Sequence, residues 1–138
     1  MTDTTAADSP PPRKPVLWAA SSKKDLRELP KPVRQVFGQA IDDAQAGDKH
    51  PDAKPLHGFG GAGVLEVVED YDGSTFRAVY TVTFPRVVFV LHVFQKKSKS
   101  GRKTPQADID KIRKRLTDAE GHYAEWVEQQ DARAEGGA

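Results

Sequence analysis

Five cations stand within one short stretch of this chain, Lys96, Lys97, Lys99, Arg102 and Lys103, with no acidic residue among them. The whole sequence has a formal net charge of +1, so this density is local and not a general bias. Cations gathered so closely let one polyanion meet several at once. The residues just before the cluster add chemistry of their own. Counting back from Lys96 by twos along an extended strand gives Phe94 and His92, which therefore share its face. An imidazole is the side chain whose ordinary pKa suits acid–base work near neutrality, and an aromatic ring can stack on a base.

A second strand brings a guanidinium to the same face. Asp72-Gly73 between two apolar runs is a strong hairpin signal, because both central residues of a type I′ turn need positive φ. With that dipeptide central, Tyr71 faces Ser74, Val68 faces Arg77 and Glu66 faces Val79. A four-residue loop, Phe84 to Val87, then pairs Thr83 with Val88, Val79 with His92 and Arg77 with Phe94. In this register Glu66, Arg77, His92, Phe94 and Lys96 point the same way. Arg77 can grip a phosphate bidentately and stabilise the charge of a pentavalent transition state. Lys96 and Lys97 can attract phosphate, and either can protonate a leaving oxygen if neighbouring cations lower its pKa. Plainer readings stand beside these. Arg77 and Glu66 are diagonal neighbours suited to a structural ion pair, His92 and Phe94 can be core, and a lysine-rich loop can simply be solvated. The residues alone point to an RNA-binding or RNA-acting surface, with those alternatives open.

The elements that must position these groups can be read from pattern. Residues 1–14, with Ser9-Pro10-Pro11-Pro12, lack apolar periodicity and are expected to form a disordered tail. A single domain is expected over 15–130, with 131–138 a frayed tail. Val16 to Ala20 reads as a short strand, and Ser22 as the cap of a brief helix through Leu29. After the interruption at Pro30 and Pro32, a helix places Val33, Val36, Phe37, Ala40, Ile41 and Ala44 on one face and stops at Gly47. Asp48 to Gly63 reads as a loop. Its glycine run, Gly58 to Gly63, is not read as a phosphate cradle, because a strand follows where such a cradle needs a helix N-terminus. Val64–Asp70, Thr75–Phe84 and Val87–Phe94 read as strands. Thr104-Pro105 opens a long helix, Thr as cap and Pro in the first turn, carrying Ile109, Ile112, Leu116, Ala119, Tyr123 and Trp126 in a stripe. The order β-α-α-β-β-β-α predicts an α+β fold: a small, mostly antiparallel sheet with helices packed on one side.

Bulk properties set outer bounds. The length of 138 residues fits one domain with one sizeable core, and the apolar share is 37%. The absence of cysteine excludes disulfides and thiolate metal sites. His50, His57, His92 and His122 lack metal-ligand spacing, so neither a metal nor another cofactor is expected. No apolar run approaches the roughly 18 residues needed to span a bilayer, and the N-terminus has no apolar signal core. A soluble, cytoplasmic protein without membrane association is expected.

Several segments taken together resemble a known family. Pro55-Leu56-His57-Gly58-Phe59-Gly60, Leu65-Glu66-Val67-Val68 and Phe76-Arg77-Ala78-Val79-Tyr80 are similar to the phage-derived, HigB-like branch of the RelE/ParE toxin superfamily. Val90 to Lys99, Thr104-Pro105, Asp108-Ile109 and Ile112-Arg113 continue the likeness, which spans roughly residues 16–126. The resemblance implies the toxin of a type II toxin–antitoxin module, with a small RelE-like fold. It implies a metal-independent endoribonuclease that cuts mRNA on the ribosome through attack of a 2′-hydroxyl on the adjacent phosphate. Arg77 matches the family's sheet arginine at the scissile phosphate, and Lys96 and Lys97 match basic positions ending the last strand. With His92 these are the expected catalytic groups; Phe94, Lys99, Arg102 and Lys103 are the expected RNA contacts. The implied partners are mRNA on the ribosome and a cognate antitoxin, usually a small helix-turn-helix protein that binds the toxin in a hetero-oligomer. Glu66 and Glu69 stand where RelE carries lysines, and the position after the basic loop where RelE has a base-stacking tyrosine has none here. The superfamily also contains members acting on DNA gyrase, so a non-catalytic inhibitor of a protein target is the alternative.

Overall fold

A computed structural model describes residues 12–61, 63–96 and 103–136. Lys97, Lys99 and Arg102, together with most of the expected N-terminal tail, lie outside the described residues. Three strands form the centre. Strands β3 (Val64–Tyr71) and β4 (Ser74–Thr81) make the expected hairpin, and β5 (Val88–Lys96) lies antiparallel on the other side of β4. Asp72 and Gly73 take φ values of +52° and +78°, as the turn between β3 and β4 requires. The short strand β1 (Val16–Trp18) runs parallel to β5, and the two-residue β2 (Lys54–Pro55) pairs with the outer side of β3. The sheet order is β1-β5-β4-β3-β2.

Strand β2 corrects the expectation of an unbroken loop from Asp48 to Gly63. Proline is poor in a central strand but acceptable at an edge, where its missing N–H costs no ladder bond, and Pro55 sits there opposite Leu65. Gly63 then brings the chain back against β4. A Cβ at this position would come within 2.7 Å of the Thr83 side chain, while the Gly63 carbonyl accepts bonds from the Val82 N–H and the Thr81 hydroxyl. Gly63 therefore serves a close backbone approach, whereas Gly60 and Gly61 have open space where a Cβ would stand.

Helices cover both faces of the sheet. Helix α1 (Ser22–Arg27) and helix α2 (Lys31–Gln45) belong to the first face, where Val33, Phe37, Ala40, Ile41 and Ala44 of α2 pack on Leu65, Val67, Phe76, Ala78 and Tyr80. Pro32 sits in the first turn of α2, where a missing N–H is harmless. Arg13 pairs with Asp42, and the Lys14 N–H donates to the Gln45 carbonyl, so these two residues of the expected tail are tied to α2. The long helix α3 (Gln106–Gly136) crosses the opposite face, where Ile112 and Ala119 pack with Val64, Val79, Phe89 and Leu91. The expectation of helices on one side thus holds for α1 and α2 and is corrected by α3. The cause is in β5: its unbroken apolar run has buried side chains to place on both faces. Helix α3 also stays regular through Gly136, past the boundary expected at 130.

The β4–β5 register follows the sequence reading only in part. Arg77 faces Phe94 and Val79 faces His92, as expected, but Tyr80 faces Val90 and Thr81 faces Phe89. One residue of β5, Leu91, is therefore extra. This bulge corrects the expected pairing of Thr83 with Val88. Bulges re-aim side chains locally, and here Leu91 and His92 both serve the α3 side: Leu91 packs in its core and His92 bonds to its Asp108.

Candidate functional site

The hairpin register places Glu66 and Arg77 on the face under the start of α3, and the structure joins them. The Arg77 Nη1 donates to Glu66 Oε1 at 3.0 Å, with the Arg77 side chain only 3% exposed. Thr104 closes the cluster from above. Its hydroxyl donates to Glu66 Oε2 at 2.7 Å and lies 3.4 Å from Arg77 Nη1. This hydroxyl therefore fastens the start of α3 to the sheet, while the Pro105 carbonyl accepts the first helical N–H groups, from Asp108 and Ile109. Beside it, the buried Lys96 reaches Lys103, its Nζ donating to the Lys103 carbonyl at 2.9 Å. Lys103 itself is exposed.

His92 is the second node. Its Nε2 lies 2.8 Å from Asp108 Oδ1, and its Nδ1 lies 3.1 Å from Arg115 Nη1. A guanidinium can only donate, so Nδ1 is the acceptor and Nε2 carries the proton given to Asp108. Burial pushes the His92 pKa below its ordinary 6.5, against the bond to Asp108; Arg115 and Lys111 push the same way as burial. The ring is therefore neutral and fixed in one tautomer near pH 7. It stacks on Phe94, with centroids 4.4 Å apart and planes within 14°. Arg115 also donates to the Leu91 carbonyl at 2.9 Å, and burial lowers its pKa.

The structure thus brings Arg77, His92, Phe94, Lys96 and Lys103 to one region. Arg77, His92 and Lys96 are buried within it, and Phe94 is half-buried. Three participants were not singled out as site residues from sequence: Thr104, Asp108 and Arg115. By pattern Thr104 reads as a helix cap, and the other two look like ordinary members of a solvated helix face. Only the crossing of α3 over the polar side of the sheet turns them inward. Nearby, Arg113 lies over the Phe59 ring at 4.6 Å and donates to the Gly58 carbonyl at 3.3 Å, tying the glycine-rich loop to the same half of α3. No group of three or more acidic, histidine or cysteine side chains suited to a metal ion occurs among the described residues.

Comparison with known proteins places the chain. Residues 24–117 match the model of the phage-derived Gp49-like protein family, and the chain belongs to that family. This is the phage-derived, RelE-like grouping to which the sequence resemblance pointed. None of the curated proteins matches. Among solved structures, a mutant of the Escherichia coli toxin RelE in its free state is 20% identical, with a TM-score of 0.45 over 59% of this chain and 81% of that one. The toxin–antitoxin complex RelBE2 of Mycobacterium tuberculosis is 18% identical, with a TM-score of 0.41 over 66% of this chain and all of that one. Both likenesses are distant, and membership of the family rests on the match to its model.

Proposed function

We propose that this protein is the toxin of a toxin–antitoxin module and acts as a metal-independent endoribonuclease on mRNA held by the ribosome. The observation that carries this reading is the convergence of Arg77, Lys96 and Lys103, the last two bounding a stretch of sequence that also holds Lys97, Lys99 and Arg102. In the reaction, the 2′-hydroxyl of a nucleotide attacks the adjacent phosphorus, its proton leaves, and the bond to the 5′-oxygen of the next nucleotide breaks as that oxygen takes up a proton. Negative charge builds on the non-bridging oxygens, where a guanidinium and ammonium groups stabilise it most. Arg77 is assigned to that charge, Lys96 and Lys97 to phosphate binding and proton transfer, and Lys99, Arg102 and Lys103 to the flanking backbone. Phe94, stacked on His92, is assigned to supporting a base. His92, fixed between Asp108 and Arg115, acts by holding α3 and Phe94 in position; as a proton carrier it would first have to leave Arg115.

Arg77 is buried and paired with Glu66, with Thr104 beside it, so contact with a phosphate requires Glu66 to release the guanidinium. A ribosome-bound mRNA presented to the basic loop would supply the competing anion. This requirement gives the enzyme a resting form with its arginine neutralised. A small helix-turn-helix antitoxin, bound in a hetero-oligomer, is the expected partner. A second reading is favoured by the same burial of Arg77 and by Glu66 and Glu69 on β3: a non-catalytic inhibitor of a protein target such as DNA gyrase.

A translation reaction with purified protein separates the two. The 5′ ends of the mRNA are mapped by primer extension, with and without ribosomes. New ends that appear only with ribosomes support the nuclease; intact mRNA together with inhibited gyrase supports the alternative.

A further inference from the structure

The C-terminal half of α3 borders a cleft of about 560 Å³ that the proposed RNA site does not use. Its apolar wall comes from Leu17 and Trp18 on β1, Phe89 on β5 and Trp126 on α3. Trp126 is held in place, stacked on Tyr123 with centroids 6.0 Å apart and with the Arg86 guanidinium 5.3 Å from its ring. The rim carries two carboxylates, Asp118 and Glu125, seven residues apart and two turns along one face of the helix, with His122 between them. The cation at the inner end, Arg115, is already engaged by the Leu91 carbonyl and His92. Asp118 meets Lys114 at 3.0 Å, but both side chains are more than half exposed, and such a pair is weak and easily exchanged.

Charge along α3 reinforces this. From Gln106 to Leu116 it carries Lys111, Arg113, Lys114 and Arg115 against Asp108 and Asp110. From Thr117 to Gly136 it carries Asp118, Glu120, Glu125, Glu128, Asp131 and Glu135 against Arg133. An RNA backbone is repelled from that acidic stretch, whereas a cationic chain is drawn to it. We infer that this cleft is a docking site for a basic, apolar peptide segment of a partner protein, which seats a leucine-sized side chain between Trp18 and Trp126 and places flanking lysine or arginine side chains on Asp118 and Glu125. The inference does not rest on the nuclease reading, and the cleft meets that site only at Arg115, which also holds His92.

The chain contains two tryptophans, and both line the cleft, so intrinsic fluorescence reports its occupancy directly. The probe is a blocked nine-residue peptide of alternating lysine and leucine, compared with its glutamate–leucine analogue and with a twelve-nucleotide oligoribonucleotide. The basic peptide is expected to give a saturable change in emission. The acidic analogue, and the basic peptide on Asp118→Lys/Glu125→Lys protein, are expected to bind at least roughly tenfold more weakly. The double variant changes exposed positions only, and circular dichroism and Tm check that it keeps the wild-type fold. No saturable response to the basic peptide overturns the inference, as does an equal response to both peptides. An unchanged response in the charge-reversed protein, or tighter binding of the oligoribonucleotide, overturns it too.

Discussion

The two faces of the sheet obey different rules. Toward α1 and α2, the buried side chains form a continuous apolar core, from Val33 and Phe37 through Leu65, Val67, Ala78 and Tyr80 to Val90. Toward α3, an apolar patch around Ile112 gives way to polar groups: the buried ion pair of Arg77 with Glu66, and the neutral, buried His92 held between the half-buried Asp108 and Arg115. Burying charge is costly, and a buried ion pair is often no more stabilising than well-packed apolar side chains of similar volume. A chain that already builds one dry face could have built two. The retained charge on the α3 face is where function is to be sought, and the comparison can be broken or sharpened by substitution.

The largest effect is expected at Arg77. Arg77→Met alone strands the Glu66 carboxylate beneath Thr104 and should lower stability by about 3–5 kcal/mol, measured by denaturant unfolding. Adding Glu66→Gln removes the stranded charge and keeps an acceptor for Thr104, so the double variant should recover to within about 1–2 kcal/mol of wild type. Equal stability of the single and double variants would show that the pair is not coupled. On the dry face, Phe37→Ala should cost about 3–5 kcal/mol by opening a cavity under a fully buried ring. There, however, no second change of charge should restore it.

The next effect concerns pH. His92 is held below its ordinary pKa of 6.5 in the folded protein, so the unfolded chain takes up the proton first as pH falls. Its contribution to stability is therefore complete above pH 6.5 and declines below it, until the folded protein also binds the proton, at no more than about 1.4 kcal/mol per pH unit. Thermal melts between pH 7.5 and 5 should show this decline. It should shrink in His92→Gln, where an amide can still donate to Asp108 and accept from Arg115. An identical slope in the variant would assign the titration elsewhere.

The smallest effect belongs to Tyr80. Its hydroxyl is buried with no hydrogen-bond partner among the described residues, and burial, with Asp43 second, pushes its pKa up to about 12. Tyr80→Phe should raise stability by about 1 kcal/mol. A loss instead would mean that the hydroxyl is satisfied by bound water.

Much of this design was legible in the chain. The turn at Asp72-Gly73 set the β3–β4 register, and with it the diagonal approach of Glu66 to Arg77, because the side-chain period of a strand leaves no freedom once the turn is known. The polar face was legible for the same reason. What sequence pattern could not supply was the path of α3. Its stripe of Ile109, Ile112, Leu116 and Ala119 calls for an apolar surface without saying which face of β5 provides it. The bulge at Leu91 was equally hidden, since an apolar residue within an apolar run gives no signal of being extra. Thr104, Asp108 and Arg115 enter the site only through these two features. The two-residue strand at Lys54-Pro55 is too short for any periodicity to show.

The central claim is that the buried charge of Arg77 is kept for RNA and not for the fold. The most direct test compares wild type with the Arg77→Met/Glu66→Gln double variant in a translation reaction, with mRNA 5′ ends mapped by primer extension and the fold checked by unfolding. The account predicts ribosome-dependent cleavage by wild type and none by an equally folded double variant. Cleavage at wild-type rates by that variant would show Arg77 to be a structural residue and contradict the account.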